Sequence, residues 1–364
     1  MRSMRSRVVP RFMIVPAEIG DDFLCYFADT CEKQKITAMR LEEHKMKKKL
    51  SVILAIILLI VALTACGSKP GNETTGSNTD ASTKKFTVGI CQLMVHDSLD
   101  QATKGFIDAL TEAMEAEGNT VEIDTQVAGE ANLCPTVINT FVAKNVDLIM
   151  ANATPALLAA ANATTSIPVL GTSITDYADT FAGNIPDNVS GTSDAVPFDE
   201  QARMMIETLG LVAGDQVGVL YCTNESNSLI QYEAVKKEFE AAGIVVKAYT
   251  FSETTELQTV TNSMANESKA VYIPSDNTVA ANDAIVGTIC TEKNVPVYTS
   301  YGGAICYASL AIDYYLLGRD TGQMAAEVLT GKKAISDIEI KTQAPIVSYN
   351  KELCDQLGID IPSK

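Results

Sequence analysis

From Phe86 onward, short runs of β-branched and apolar residues alternate with longer stretches whose apolar positions recur at helical spacing. Phe86 to Cys91 predicts a strand, Leu99 to Glu117 an amphipathic helix closed by Gly118, Thr120 to Thr125 a strand, and Leu133 to Lys144 a helix. Val146 to Ala151 then reads as a strand, a helix opens at Pro155, and Ile167 to Gly171 reads as the next strand. Strands that alternate with helices imply βαβ units and a parallel sheet covered on both faces. The order then recurs. Val217-Gly218-Val219-Leu220 echoes Val88-Gly89-Ile90-Cys91, Ala270-Val271-Tyr272-Ile273 echoes Asp147-Leu148-Ile149-Met150, and Val295-Pro296-Val297-Tyr298 echoes Ile167-Pro168-Val169-Leu170. Shared order at similar spacing predicts two domains of one α/β architecture, Rossmann-like parallel sheets facing each other across a cleft. A chain of 364 residues suits two domains better than one core.

The chain before Phe86 follows another pattern. Met46 is followed by the basic run Lys47-Lys48-Lys49 and then by apolar residues from Leu50 through Ala65, broken only by Ser51 and Thr64. That stretch is short of the roughly 20 residues of a membrane-spanning helix and suits the core of a signal peptide. Leu63-Thr64-Ala65-Cys66 resembles a bacterial lipobox, so residues 46–66 are expected to be a lipoprotein signal with Cys66 as the lipidated residue. The other reading of the same stretch is a short membrane anchor with an incidental cysteine. Residues 1–45 show mixed charge and no clear period; they are expected to lie upstream of the true start at Met46, the alternative being a cytoplasmic extension. Residues 67–85, rich in Gly, Ser, Thr and Asn, read as a flexible tether. The folded part is thereby placed outside the cell, anchored to the membrane through lipid.

Composition narrows the chemistry. A formal net charge of −17 and a pI near 4.6 exclude a nucleic-acid partner, which needs a basic face. His44 and His96 are the only histidines, and the nine cysteines contain no C-x-x-C pair. A zinc site or a His-based triad is therefore poorly supplied, and no metal is expected. No G-x-S-x-G elbow, phosphate-cradling loop or dinucleotide fingerprint occurs, so no enzyme activity and no cofactor are expected. His96, beside Asp97 and Ser98, reads as a hydrogen-bonding group rather than a catalytic base. The wide cysteine spacings suggest no disulfide framework.

In open α/β sheets ligands sit beyond the carboxyl ends of the strands. That rule selects Gln92 and His96 after the first strand, Thr154 after the third, and Thr172, Ser173 and Asp176 after the fourth. In the second half it selects Asn227, Ser228, Asp276, Asn277 and Tyr301. Thr154-Pro155, Asn227-Ser228 and Asp276-Asn277 also carry helix-opening residues, and each one taken alone serves equally well as a cap. Helix-start N–H groups hold an anion without arginine. Asp276 suits an ammonium, while Thr154, Thr172, Ser173 and those N–H groups suit a carboxylate, a pairing that describes an α-amino acid. A sugar or another small molecule remains the alternative ligand.

The segments Thr172-Ser173-Ile174-Thr175-Asp176, Asn188-Val189-Ser190-Gly191-Thr192-Ser193-Asp194, Glu225-Ser226-Asn227-Ser228, Ile273-Pro274-Ser275-Asp276-Asn277-Thr278-Val279 and Ile312-Asp313-Tyr314-Tyr315-Leu316-Leu317-Gly318-Arg319 together resemble the substrate-binding lipoproteins of ABC importers. The similarity is to their aromatic-amino-acid-binding branch, of the type I periplasmic-binding fold. Two departures stand out: Tyr177 follows Asp176 where the family commonly has proline, and Gly302 to Tyr307 is more aromatic than the family pattern. The resemblance implies a three-segment hinge with crossings near Ser193, Ala308 and Glu339. Domain 1 would then comprise 86–192 plus 308–338, and domain 2 193–307 plus 339–364. It also implies capture of an aromatic amino acid by cleft closure and delivery to ABC permease subunits. A sensory ligand-binding module is the other role compatible with such a chain.

Overall fold

The structure is a computed structural model that describes residues 83–362. The signal and lipobox expected at 46–66, the extension before them and most of the tether lie outside the described residues.

The first lobe is built on β1 (Lys85–Gln92), α1 (Asp97–Ala116), β2 (Thr120–Val127), α2 (Cys134–Lys144), β3 (Leu148–Asn152), α3 (Thr154–Ala163), β4 (Val169–Ile174), α4 (Tyr177–Thr180) and β5 (Val189–Ser193). Alternation along β1 sends Val88 and Ile90 to one face, against Phe106, Leu110 and Met324. Cys91 and Leu93 go to the other face, against Ile138, Phe141 and Leu157. Two strands begin later than their apolar runs suggest. Asp147 does not join β3 because its carboxylate accepts from Thr87 N and Oγ1 at 2.6 and 2.9 Å. Pro168, lacking an N–H, precedes β4, which instead runs on to Ile174.

The second lobe repeats the plan with α5 (Phe198–Leu209), β6 (Gln216–Cys222), α6 (Ser226–Ala241), β7 (Val245–Phe251), α7 (Leu257–Glu267), β8 (Ala270–Ile273), α8 (Asn277–Ala280), α9 (Asp283–Glu292), β9 (Val297–Thr299) and β10 (Ala308–Ala311). Its core is rich in tyrosine. Tyr272 stacks on Tyr298 with ring centroids 5.7 Å apart. Their hydroxyls are satisfied inside, Tyr272 donating to Gln201 Oε1 at 2.6 Å and Tyr298 accepting from Leu310 N at 2.8 Å.

The chain then returns to the first lobe as α10 (Tyr314–Leu329) and β11 (Lys341–Thr342), and ends in the second lobe as β12 (Ile346–Tyr349) and α11 (Lys351–Leu357). The strand orders are β11-β5-β4-β3-β1-β2 and β12-β10-β9-β8-β6-β7. All pairs are parallel except β10 with β12. Three connections therefore join the lobes. The first follows Ser193, the last residue of β5. The second falls after Ala311 rather than before Ala308, because Ala308 pairs with Tyr298 and Tyr349 in the second sheet. The third falls after Thr342 rather than at Glu339, because Lys341 pairs with Thr192 in the first.

Helix α10 lies on α1 with their backbones in touch. A Cβ on Gly105 would stand 2.1 Å from Tyr315 O, and one on Gly318 would stand 2.0 Å from Ala102 O. Among the described residues, no helix is long and apolar enough to cross a membrane, and all six cysteines are buried and unpaired.

Candidate functional site

The carboxyl ends of both sheets face one cavity. From the first lobe it is walled by His96, Ser98 and Leu99 at the start of α1, Ser173 and Thr175 at the end of β4, and Asp194 just past β5. From the second come Asn227 near the start of α6, Ser275 to Asn277 after β8, Ala280, and Tyr301 after β9; Tyr314 contributes from the second connection. The enclosed room is about 10 Å³, roughly that of a single water. Outside it lies a groove of about 900 Å³ with Met94, Val95, Val127 and Glu130 on one bank and Asn224, Glu225, Ser252 and Thr278 on the other.

The wall is polar and incompletely paired. Seven buried side-chain N or O atoms lack a hydrogen-bond partner among the described residues, and four of them, Ser173 Oγ, Asp194 Oδ1, Asn227 Oδ1 and Tyr301 OH, line this cavity. Buried polar atoms are rarely left alone, because each such loss costs about 1–3 kcal/mol. Their convergence therefore marks the place where a polar molecule is meant to sit. Ser173 is held there in left-handed backbone, φ 58°, a conformation that stores strain in a residue with a side chain.

Asp194 is the charged member. Its Oδ2 accepts from Tyr314 OH at 2.9 Å while Oδ1 stays free. Burial raises its carboxyl above the ordinary value, and the Tyr314 and Thr175 hydroxyls pull it back. No lysine or arginine lines the cavity. Asp194 Oδ1 is thus an acceptor with no donor among the described residues. Lysine and arginine are absent from the lining, but backbone donors are present: α1 and α6 both begin at the cavity, and neither His96 nor Glu225 caps its own helix with its side chain. First-turn N–H groups of two long helices are thus left for a carboxylate.

Of the residues expected from strand ends, the structure brings His96, Ser173, Asn227, Asp276, Asn277 and Tyr301 to the cavity. Asp276 does not offer a free carboxylate. Its Oδ2 accepts from Cys222 N and Ser228 Oγ at 2.7 and 2.8 Å, and its Oδ1 from Val279 N at 2.9 Å. Burial, with Glu225 nearby, pushes its carboxyl well up. Both oxygens being engaged, it locks α8 to the end of β6 and leaves no free acceptor for the ammonium expected of it.

The other five do not line the cavity. Gln92 reaches Asp100 Oδ1 at 2.6 Å and accepts from Thr103 Oγ1, fastening α1 to the sheet. Thr172 joins a buried hydroxyl chain through Thr192 to Thr321. Asp176 caps α4 by accepting from Asp179 N. Ser228 serves Asp276, and Thr154, the first residue of α3, is buried with its hydroxyl unpaired. Asp194 itself was not among the expected residues. The signal that finds it is the strand-end rule applied to the fifth strand, whose last residue is Ser193.

The chain matches the family of ABC transporter substrate binding proteins over residues 87–364 and belongs to it. It is 35% identical over 311 residues, 82% of this chain and 88% of the relative, to a tyrosine-binding protein of Clostridioides difficile strain R20291. Among solved structures it is similar to an ABC domain from Streptococcus pneumonia in complex with L-Trp, at 30% identity and a TM-score of 0.71 over 76% of this chain and 96% of that one. The ligand-free, open structure of a substrate binding protein from Clostridium difficile, 31% identical over the same shares, gives 0.57. The protein is thus a substrate-binding protein of an ABC transporter with the type I periplasmic-binding fold.

Proposed function

We propose that the protein captures an aromatic α-amino acid between its lobes and presents it to the permease of an ABC importer, held at the membrane by lipid on Cys66. The observation that carries the ligand class is the free, buried Oδ1 of Asp194 in a cavity that lysine and arginine do not line. An ammonium supplies the missing positive charge and the missing hydrogen bond together. The uncapped starts of α1 and α6 suit the α-carboxylate, and the Ser173, Asn227 and Tyr301 atoms suit further polar groups. Relatives named for tyrosine and bound to L-Trp support an aromatic side chain. Anchoring through Cys66 rests on the sequence of residues 46–66.

Calorimetry of the purified protein with a panel of amino acids, their decarboxylated amines and sugars tests this reading. L-tyrosine, L-tryptophan or L-phenylalanine is expected to bind most tightly, the corresponding amine weakly, and sugars not at all. A sugar binding with no amino acid doing so would refute it.

A further inference from the structure

Across the mouth of the cavity one hydrogen bond joins the lobes: His96 Nε2 lies 3.2 Å from Asn277 Oδ1. We propose that His96 and Asn277 form a latch that holds the lobes shut. The pair stands between the inner cavity, which both residues line, and the outer groove, which their neighbours Met94, Val95 and Thr278 line.

The acceptor is set in advance. Asn277 Nδ2 donates to Glu225 Oε2 at 2.6 Å, and Asn277 N donates to the same oxygen at 2.9 Å. The second Glu225 oxygen takes Thr278 N and Oγ1. With its amide nitrogen so committed, Asn277 turns its carbonyl oxygen to the first lobe, and the imidazole meets it with the hydrogen on Nε2. A preset acceptor loses no side-chain freedom when the lobes meet. A second bond, from Gln231 Nε2 to Thr175 Oγ1 at 3.0 Å, joins the lobes deeper in.

The imidazole is faced by Asp97 and Asp100 on its own helix, by Glu225 at the start of α6 and by Asp283 on α9. Burial outweighs these carboxylates and lowers the imidazole below its ordinary value. Protonation adds a hydrogen at Nδ1 and leaves the Nε2–H that donates to Asn277 Oδ1, so either form of the ring makes the bond between the lobes.

Single-molecule FRET on the ligand-free protein, with dyes on one exposed engineered cysteine per lobe, reads the closed fraction without reference to any ligand. The six native cysteines of the described residues are buried. At pH 7.5, His96→Ala is expected to lower the closed-to-open ratio about three- to tenfold, the worth of one hydrogen bond. His96→Gln, which still donates, is expected to hold the wild-type ratio. Asp194 and Asp276 remain in every variant, so the difference isolates the hydrogen bond at position 96. An alanine variant as closed as wild type, or a glutamine variant as open as the alanine one, would each overturn the latch.

Discussion

Asp194 and Asp276 are both buried acids in the cavity wall, and their hydrogen bonds separate their work. Asp194→Asn keeps the shape and the bond from Tyr314 but removes the charge. Breaking a buried ion pair costs about 3–5 kcal/mol, so L-tyrosine affinity should fall by two to three orders of magnitude at about 1.4 kcal/mol per tenfold. The melting temperature should hold or rise, since a lone buried charge is gone. Asp276→Ala should do the opposite first: it strands Cys222 N, Ser228 Oγ and Val279 N, and two or three buried unsatisfied groups at about 1–3 kcal/mol each should lower the melting temperature by many degrees. Calorimetry and thermal unfolding on both variants separate the roles, and an Asp194→Asn protein with wild-type affinity would remove Asp194 from the site. The position of Asp276 was legible, because a strand-end acid before a helix needs only local pattern. Its partners were not, because Cys222 and Ser228 lie far back in the chain and meet it only once β6 and β8 pair. Asp194 escaped notice because the chain there was read as a crossing, not as the end of a strand.

Helices α1 and α10 meet backbone to backbone, and glycine makes it possible. Gly318→Ala would push a methyl into Ala102 O, a backbone atom that cannot rotate away. Forced overpacking costs about 1–3 kcal/mol, and denaturant midpoints should fall accordingly; an unchanged midpoint would show that the helices slide apart freely. The helical period of 99–117 was legible because its apolar stripe is local. That Gly105 meets Tyr315 and Gly318 meets Ala102 was not, since neither glycine looks special beside its neighbours. The same limit explains the lobe boundaries: β10 and β11 are four and two residues long, and only the pairing of Ala308 with Tyr298 and Tyr349, and of Lys341 with Thr192, decides which sheet each joins.

At the scale of the molecule, the parallel repeat and the cleft were readable from the recurrence of strand patterns, whereas the state of the cleft was not, because the same local elements serve open and closed lobes alike. Membrane attachment belongs to this scale. Under the proposed lipid anchoring, Cys66→Ser removes the thiol that would take the lipid, so the variant should leave the membrane fraction, and retention after alkaline washing would favour a spanning anchor. Closure is the larger question. About 10 Å³ of room can neither admit nor hold an amino acid, so the lobes must stand further apart than here both when a ligand enters and when it is held. Asp194 and Ser173 stand on one side, and Asn227 and Tyr301 on the other, so their orphaned atoms can share one molecule only when the lobes come together. Binding energy that requires both lobes necessarily shifts the population towards the closed form. Small-angle scattering should therefore show the radius of gyration of the ligand-free protein decreasing as L-tyrosine saturates it, in step with the calorimetric isotherm. A radius that stays constant at saturation would mean that the ligand is held by one lobe alone.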